Sequence, residues 1–262
     1  MPYYQPDSVR YYTFDSLDEE DGLIHAIFTR QGGVSPEPWD SLNLGGTVGD
    51  SAVRVAENRR RVFDAIGRSP DSLYDVWQVH SADVVFVDAP RPAHQPHLKA
   101  DAMLTDVPGV TLFMRFADCV PILLYDPHKR ALGLVHAGWQ GTVRQTAAAA
   151  VEAMQARYLS RPADILAAIG PSIGPHHYQV GQDVIDRVQE TFGKDALTLL
   201  PTSNGAVKFD LWSANRLILE RLGVHQIEVS GICTACHLQD WYSHRGEGGK
   251  TGRFGMLAGL SG

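Results

Sequence analysis

The residue types best suited to chemistry in this chain are a cysteine and a histidine in neighbouring segments. Cys119 lies in the segment 117–121 (ADCVP), and His136 begins the segment 136–139 (HAGW). A thiolate and an imidazole are ligand types that bind zinc, and two histidines with one thiolate leave a fourth tetrahedral position open. His80 is one candidate for the second histidine. This combination is typical of a catalytic metal centre more than of a structural one.

Two apolar runs predict the β-hairpin that would position this pair. Residues 121–126 (PILLYD) and 131–136 (ALGLVH) flank the turn-forming residues 127–130 (PHKR). Apolar runs bounded by turn residues are typical of buried strands. A register with Asp126 opposite Ala131 would place the cysteine and the histidine at one end of the hairpin, on strands about 5 Å apart. A slip by one residue would turn the side chains to the other face.

The spacing of residues does not choose the third ligand. His80 stands near another extended apolar run, and any histidine there can simply bond a carbonyl group. Several other histidines compete with it, namely His94 and His97 in a Pro-rich loop, His176 and His177 after a Gly/Pro loop, and His237 beside Cys236.

Composition sets the general class of the protein. The 262 residues, 44% of them hydrophobic, can bury a sizeable core, and no linker divides the chain, so we expect a single domain over residues 1–262. The net charge of −7 predicts no nucleic-acid partner. No apolar run approaches the roughly 20 residues needed to span a bilayer, and the polar amino terminus is unlike a signal peptide. We therefore expect no membrane association and a cytoplasmic location.

The secondary-structure pattern predicts an α+β fold with a mixed β-sheet core and flanking helices, because strands and helices alternate irregularly. Helices are predicted over 51–66, with Val53, Val62, Phe63 and Ile66 on the apolar face, and over 141–158, 182–192 and 211–222, the last capped by Asp210. Strands are predicted over 24–28, 84–87, 110–116, 165–169 and 226–230. The helix after His136 would direct free N–H groups toward the cysteine and histidine.

Three further segments allow more than one interpretation. Cys233 and Cys236 form a CxxC pair, which is half of a zinc ribbon, but packing or a local redox role is the favoured interpretation. Arg30 follows a predicted strand in a Gly-rich turn and could clamp phosphate. Arg245 and Arg253 flank a basic Gly-rich segment that could hold an anion or be an ordinary surface loop. The odd number of three cysteines argues against a disulfide framework.

Taken together, these motifs resemble the laccase-domain purine nucleoside phosphorylase family, also labelled polyphenol-oxidase-like or multicopper-type. The matching pieces follow one another through nearly the whole chain: 28–35 (FTRQGGVS), 42–44 (LNL), 58–59 (NR), 78–80 (QVH), 117–121, 136–139, 169–171 (IGP), 233–234 (CT), 243–245 (SHR) and 251–253 (TGR). One departure is Gln140, where the family usually has arginine, and this could weaken an anion contact.

The resemblance implies a zinc site formed by His80, Cys119 and His136, on a fold likened to that of bacterial toxin cysteine deamidases. It also implies phosphorolysis of adenosine, inosine and methylthioadenosine, with purine nucleoside and phosphate as binding partners, and hydrolytic deamination of adenosine. Copper is a less suitable metal, and polyphenol oxidation a less suitable activity, because copper oxidases need His-x-His pairs and none occurs among the 11 histidines.

The mechanism expected at such a site has one open metal position for water or a phosphate oxygen. Arg30, Arg245 and Arg253 are the candidate phosphate ligands. Asp118 is the candidate general acid or base, although a carboxylate beside a metal ligand can instead have the single role of orienting the site. A rival hypothesis makes Cys119 a nucleophile that His136 activates without a metal, as in an amidase or deamidase. The family resemblance allows a related role, because some members of the family are assigned an editing role on peptidoglycan precursors. The sequence leaves the preferred nucleoside and the oligomeric state open.

Overall fold

Two mixed β-sheets form the centre of the fold, in a computed structural model that describes residues 3–5 and 7–262. The strands of this part of the chain are β1 (Tyr3–Tyr4), β2 (Tyr11–Tyr12), β3 (Leu23–Phe28), β4 (Leu73–Asp75), β5 (Val84–Phe86), β6 (Ala102–Thr105), β7 (Thr111–Phe116), β8 (Val120–Asp126), β9 (Ala131–Ala137), β10 (Leu166–Ile169), β11 (Thr202–Ser203), β12 (Ala206–Val207), β13 (Gln226–Val229) and β14 (Phe254–Leu260).

The strand order of each sheet shows why the fold is α+β. One sheet has the order β1-β2-β3-β14-β7-β4 and the other the order β13-β10-β8-β9-β6-β5, with a separate β11-β12 pair. Most neighbours are antiparallel, whereas β4 with β7, β5 with β6, and β10 with β13 are parallel. The predicted α+β class with mixed sheets is therefore confirmed.

The predicted hairpin is the β8–β9 pair, and its register is the expected one. Asp126 pairs with Ala131, and Pro121 pairs with His136. The side chains alternate between the two faces of the sheet: Ile122 packs with the helices, and Leu123 packs toward the other sheet. Because both faces are buried, these strands are continuously apolar, and a slip in register would exchange the two sets of side chains.

The helices are α1 (Asp15–Asp18), α2 (Ala52–Ala65), α3 (Trp139–Val143), α4 (Thr146–Tyr158), α5 (Gln182–Phe192), α6 (Ala196–Leu199) and α7 (Leu211–Arg221). Most of them lie on the outer faces of the two sheets, whereas Leu17 of α1 packs in the core between the sheets. Helix α2 packs through Val62 and Phe63 on the sheet that contains β3, whereas α4, α5 and α7 cover the sheet that contains β8. A core between the sheets, which includes Met114 and Leu134, joins the layers.

Most predicted elements lie within one or two residues of the observed ones. The helix predicted over 182–192 is α5, and Asp210 caps α7 as expected, because its Oδ1 accepts a hydrogen bond of 3.0 Å from the backbone N–H of Ser213. Among residues 3–5 and 7–262, the structure contains no helix with the length and apolar character needed to cross a bilayer.

Two details of the predicted helices are wrong. Val53 is 78% exposed, and Val55 takes the inward position, so the apolar face of α2 begins one half-turn later than the pattern indicated. The helix predicted over 141–158 begins earlier, at Trp139, and is interrupted at Gln145, whose left-handed φ of 59° separates α3 from α4. The side chain of Thr146 donates to the carbonyl groups of Ser81 and Gly141 at this break, which binds the helix start to the His80 loop.

Candidate metal centre and cavity

Three side chains meet at the open end of the β8–β9 hairpin. The ligand atoms of His80, Cys119 and His136 lie within 4.8 Å of one another, and His80 Nε2 is 3.8 Å from Cys119 Sγ. Cys119 precedes β8, and His136 lies near the end of β9, where the antiparallel pairing brings them together. The predicted proximity of the three residues is confirmed, and the set of two imidazoles and one thiol fits a zinc ion with one open position.

A buried carboxylate, Asp101, organises this group. Its Oδ1 lies 2.8 Å from Nδ1 of His136, which leaves Nε2 of that ring facing the other two side chains. Its Oδ2 accepts hydrogen bonds from the backbone N–H groups of Val79 and Ser81, at 3.1 and 2.6 Å. These bonds hold the loop in which His80 has a left-handed φ of 60°. Asp101 therefore orients two of the three side chains at once.

Gly138 is the reason that the three side chains can approach so closely. A Cβ atom at this position would lie 2.7 Å from Cys119 Sγ and 3.2 Å from His80 Cδ2. Both distances are shorter than ordinary van der Waals contacts, so any larger residue would push the cysteine and the histidine away. The sequence indicated that a glycine here would let the backbone approach a ligand, and the backbone does approach two of the candidate ligands.

The charges of the group favour an ionised cysteine. Burial opposes ionisation of Cys119, but the facing His136 and His80 hold the pKa of its thiol at about 6. Burial likewise opposes protonation of His136, but Cys119 and the carboxylate of Asp101 raise its pKa to about 9. Desolvation also acts against Asp101, whose pKa is nevertheless lowered to about 2 by His136 and by backbone N–H groups. The thiolate is the form that binds metal or attacks as a nucleophile.

The group opens into a cavity of about 590 Å³. Its wall combines aromatic, amide and cationic side chains with a glycine-rich turn that follows the Leu42-Asn43-Leu44 segment. The lining residues include Gly45, Gly46, Thr47, Trp77, Gln78, Arg115, Trp139, Tyr178, His244, Arg245 and Arg253. A volume of this order suits a ligand of the size of a nucleoside with phosphate.

The three predicted anion-binding arginines occupy different positions. Arg245 and Arg253 line the cavity, whereas Arg30 is not among its lining residues in the part of the chain that the structure describes. The guanidinium of Arg30 pairs with Glu247 at 2.9 Å, donates to the carbonyl group of Leu238 and stacks on Tyr242. The structure thus brings two of the three arginines to the candidate site and gives Arg30 a role in joining loops.

The guanidinium of Arg253 interacts electrostatically with Cys119 of the metal group and with its neighbour Asp118. Burial lowers the pKa of its guanidinium, while the opposing contributions that raise it come from Cys119 and Asp118. Gly45 leaves room for its side chain, since a Cβ there would lie 2.7 Å from Arg253 Cγ. Arg115 also lines the cavity, but its guanidinium is held by Asp75 and by the carbonyl group of Val76.

Asp118 is a hub of hydrogen bonds beside the metal group. Its Oδ1 accepts from the hydroxyl groups of Thr234 and Ser243, both at 2.7 Å, and its Oδ2 accepts from the backbone N–H of Arg245 at 2.6 Å. Both carboxylate oxygens are thus occupied by protein donors. This arrangement suits a residue that positions the loops around the cavity.

Some residues of the site had no signal in the sequence. Asp101, Tyr178 and the turn at Gly45 reach the site only through long-range pairing, and nothing in their local pattern marks them. Gln140, the departure from the family pattern, lines the cavity beside Trp139 and also borders a neighbouring cavity. Arg144, four residues after Gln140, donates a hydrogen bond to the backbone carbonyl group of His80.

Residues 24–261 match a family model described as multi-copper polyphenol oxidoreductase laccase. A purine nucleoside phosphorylase of Deinococcus radiodurans is 40% identical over 237 residues, which cover 90% of this chain and 88% of that protein. Purine nucleoside phosphorylase YlmD of Bacillus subtilis is 38% identical over 246 residues, covering 91% and 88%.

Solved structures agree with these matches. The crystal structure of YlmD from Geobacillus stearothermophilus is similar with a TM-score of 0.91 and 35% identity, covering 99% of each chain. The crystal structure of the hypothetical protein YfiH of Bacillus licheniformis is similar with a TM-score of 0.90 and 34% identity, again over 99% of each chain.

Proposed function

This chain belongs to the multi-copper polyphenol oxidoreductase laccase family, and from that premise we propose that it is a zinc-dependent purine nucleoside phosphorylase that also deaminates adenosine. The relatives named purine nucleoside phosphorylase support the first activity. The observation that carries the proposal is the group of His80, Cys119 and His136 at the wall of a cavity that also contains cationic and aromatic side chains.

The donor set favours zinc over copper. Two imidazoles and one thiolate, with Asp101 behind one imidazole, are typical of catalytic zinc sites. The family description mentions several copper ions, but the chain has no His-x-His pair with which to build a multinuclear copper cluster. A zinc ion held by these residues would act as a Lewis acid on an oxygen atom of phosphate or water.

For phosphorolysis, we infer that Arg253 and Arg245 bind the phosphate and direct one of its oxygens to C1′ of the nucleoside. A new C1′–O bond forms while the C1′–N9 bond breaks, and the leaving base takes up a proton from water or from the dihydrogen form of the attacking phosphate. Trp77 and Tyr178 offer aromatic surfaces for the purine ring. Asp118, with both oxygens already hydrogen-bonded, serves in this proposal to position the Arg245 loop and Cys119.

For deamination, the same cavity would hold adenosine with C6 of the base toward Cys119 and His136. Water adds at C6 and ammonia leaves, so that adenosine becomes inosine. Adenosine, inosine and methylthioadenosine are the proposed substrates, and the two activities would share one site.

A second candidate function rests on the electrostatics of the same pair. A thiol pKa of about 6 beside an imidazole pKa of about 9 favours a thiolate–imidazolium pair in the metal-free protein. Such a pair can act as a nucleophile and acid in an amidase or deamidase, for instance on peptidoglycan precursors. Copper-dependent polyphenol oxidation has no such supporting observation.

The test is product analysis with purified protein, adenosine and inorganic phosphate. We expect adenine with ribose 1-phosphate when phosphate is present, and inosine from the deamination. His80→Ala should remove both activities, whereas His225→Ala, at an exposed histidine outside the cavity, should keep them. Absence of every purine product from the wild-type protein loaded with zinc would overturn the proposal.

A further inference from the structure

A second group of metal-binding residue types lies outside the cavity. His176, His177, Cys233 and Cys236 have one ligand atom each within 4.8 Å of the others. The CxxC pair alone is half of a zinc site, and the two consecutive histidines come from a loop almost sixty residues earlier in the chain. Together they form the Cys₂His₂ set that is typical of closed, structural zinc sites.

The distances within this group agree with a tetrahedral ion. His176 Nε2 is 3.1 Å from Cys236 Sγ, and His177 Nδ1 is 3.5 Å from the sulfur atoms of both Cys233 and Cys236. A zinc ion bound at about 2.3 Å to sulfur and about 2.0 Å to nitrogen separates these ligand atoms by about 3.5 Å. Only small side-chain movements would therefore be needed for coordination.

The backbone already holds the two loops in position. A parallel bridge pairs Ser172 with Cys233, and the backbone N–H of Thr234 donates to the carbonyl group of Ser172 at 3.0 Å. Within the CxxC turn, the N–H of Cys236 donates to the carbonyl group of Cys233 at 3.2 Å. The juxtaposition of the four side chains thus follows from main-chain pairing, which lowers the entropic cost of binding.

Gly174 contacts two of the four candidate ligands, one through its backbone N–H group and one through the space that it leaves free. Its backbone N–H donates to Cys233 Sγ at 3.2 Å, a bond that stabilises negative charge on the sulfur. A Cβ at position 174 would lie 2.6 Å from His176 Cε1, so a larger residue would displace the imidazole from its observed position. Cys233 is buried, whereas His176, His177 and Cys236 are exposed, so an ion can enter from solvent.

This group is connected to the cavity through Asp118. Thr234, inside the CxxC segment, donates to Asp118 Oδ1 at 2.7 Å, and the N–H of Ile173 donates to the Asp118 carbonyl group at 3.0 Å. Tyr178, which follows His177, lines the cavity. An ion bound by the four residues would therefore fasten the two loops that form one wall of the cavity.

We propose that His176, His177, Cys233 and Cys236 bind a second zinc ion, which is structural and fixes the loops around Asp118. With four protein ligands, the ion has no open position and takes no direct part in chemistry. The binding claim does not depend on the proposed function, because it concerns only the affinity of these residues for metal. The competing possibility is a disulfide between the two cysteines of the CxxC pair.

The experiment is metal analysis of the full chain, purified with reductant, equilibrated with Zn²⁺ and desalted. We expect about two zinc ions per chain in the wild type, about one in Cys236→Ser and about one in Cys119→Ser. His176→Ala is a second variant at an exposed position, and it should also retain about one. The matched control is His237→Ala, which removes the neighbouring histidine outside the group and should retain about two.

A spectroscopic measurement isolates the second site. In the Cys119→Ser background, Co²⁺ should produce the near-ultraviolet absorption of sulfur-to-cobalt charge transfer, and this absorption should disappear when Cys236→Ser is added. The proposal is overturned if Cys236→Ser and His176→Ala bind as much zinc as the wild type. It is also overturned if the fully reduced wild type binds one ion that Cys119→Ser alone removes. A disulfide between Cys233 and Cys236 whose reduction leaves these four residues without bound metal would likewise overturn it.

Discussion

Asp101 Oδ1 lies 2.8 Å from His136 Nδ1, while the other oxygen of the same carboxylate holds the loop that carries His80. One buried side chain thus fixes the ring orientation of one candidate ligand and the backbone position of another. This relationship explains how a hairpin and a loop from different parts of the chain present their imidazoles to one thiol.

The first prediction concerns Asp101. Asp101→Asn keeps the size of the side chain but removes its charge, so the affinity of the site for zinc should fall about 10- to 100-fold. Competition with a chelator measures this affinity. Asp83→Asn, which changes an exposed carboxylate near the same loop, is the matched control and should bind zinc like the wild type. Equal affinity in the Asp101 and Asp83 variants would contradict the role assigned to Asp101.

The second prediction concerns Gly138. Gly138→Ala places a Cβ 2.7 Å from Cys119 Sγ, so the three ligands should separate and zinc binding by His80, Cys119 and His136 should be lost or strongly weakened. Gly109→Ala adds a methyl group in open space and should leave metal content unchanged. Metal analysis with circular dichroism separates loss of the ion from loss of the fold. A folded Gly138→Ala protein with full zinc content would refute this account of the glycine.

The third prediction concerns pH. In the metal-free site, Cys119 is ionised above about pH 6 and His136 stays protonated up to about pH 9. Zinc needs both groups deprotonated, so binding between pH 7 and 9 should release the proton of His136, and affinity should rise about tenfold per pH unit. Titration in the Cys236→Ser background restricts the measurement to this site. An affinity that does not change with pH in this window would show that the imidazolium does not form.

The hairpin can be predicted from the sequence because the residues that define it lie close together in the chain. The apolar runs of β8 and β9 and the turn between them are adjacent in the chain, and burial of both faces leaves one register. Asp101 and the His176–His177 pair reach their partners across 35 and about 60 residues, and no local pattern encodes such pairings. The sequence does not predict the break at Gln145, because alanine-rich segments favour a continuous helix, whereas the bond of Thr146 at the break is made to the distant residue Ser81.

The fourth prediction separates positioning from proton transfer at Asp118. If its carboxylate only accepts from Thr234, Ser243 and Arg245, Asp118→Asn should lower kcat/KM without removing either limb of the pH–rate profile. The measurement is kcat/KM for adenosine phosphorolysis across pH. Loss of one limb in the variant would instead assign Asp118 the role of general acid or base.

The fifth prediction concerns phosphate recognition. Arg253→Gln removes one charged donor from the cavity wall, and the KM for phosphate should rise about 10- to 100-fold, the value of one or two charge-assisted hydrogen bonds. The KM for the nucleoside should change much less. Steady-state kinetics with each substrate varied in turn measures both values. An unchanged phosphate KM would remove Arg253 from the binding site.

The most direct test of the central claim is the initial rate of ribose 1-phosphate formation from adenosine and phosphate as zinc is returned to zinc-depleted protein. We predict no turnover without zinc, recovery on titration in the wild type, and no recovery in Cys119→Ala at any zinc concentration. Full turnover by the zinc-free wild type, or by Cys119→Ala, would contradict the assignment of His80, Cys119 and His136 as the catalytic metal centre.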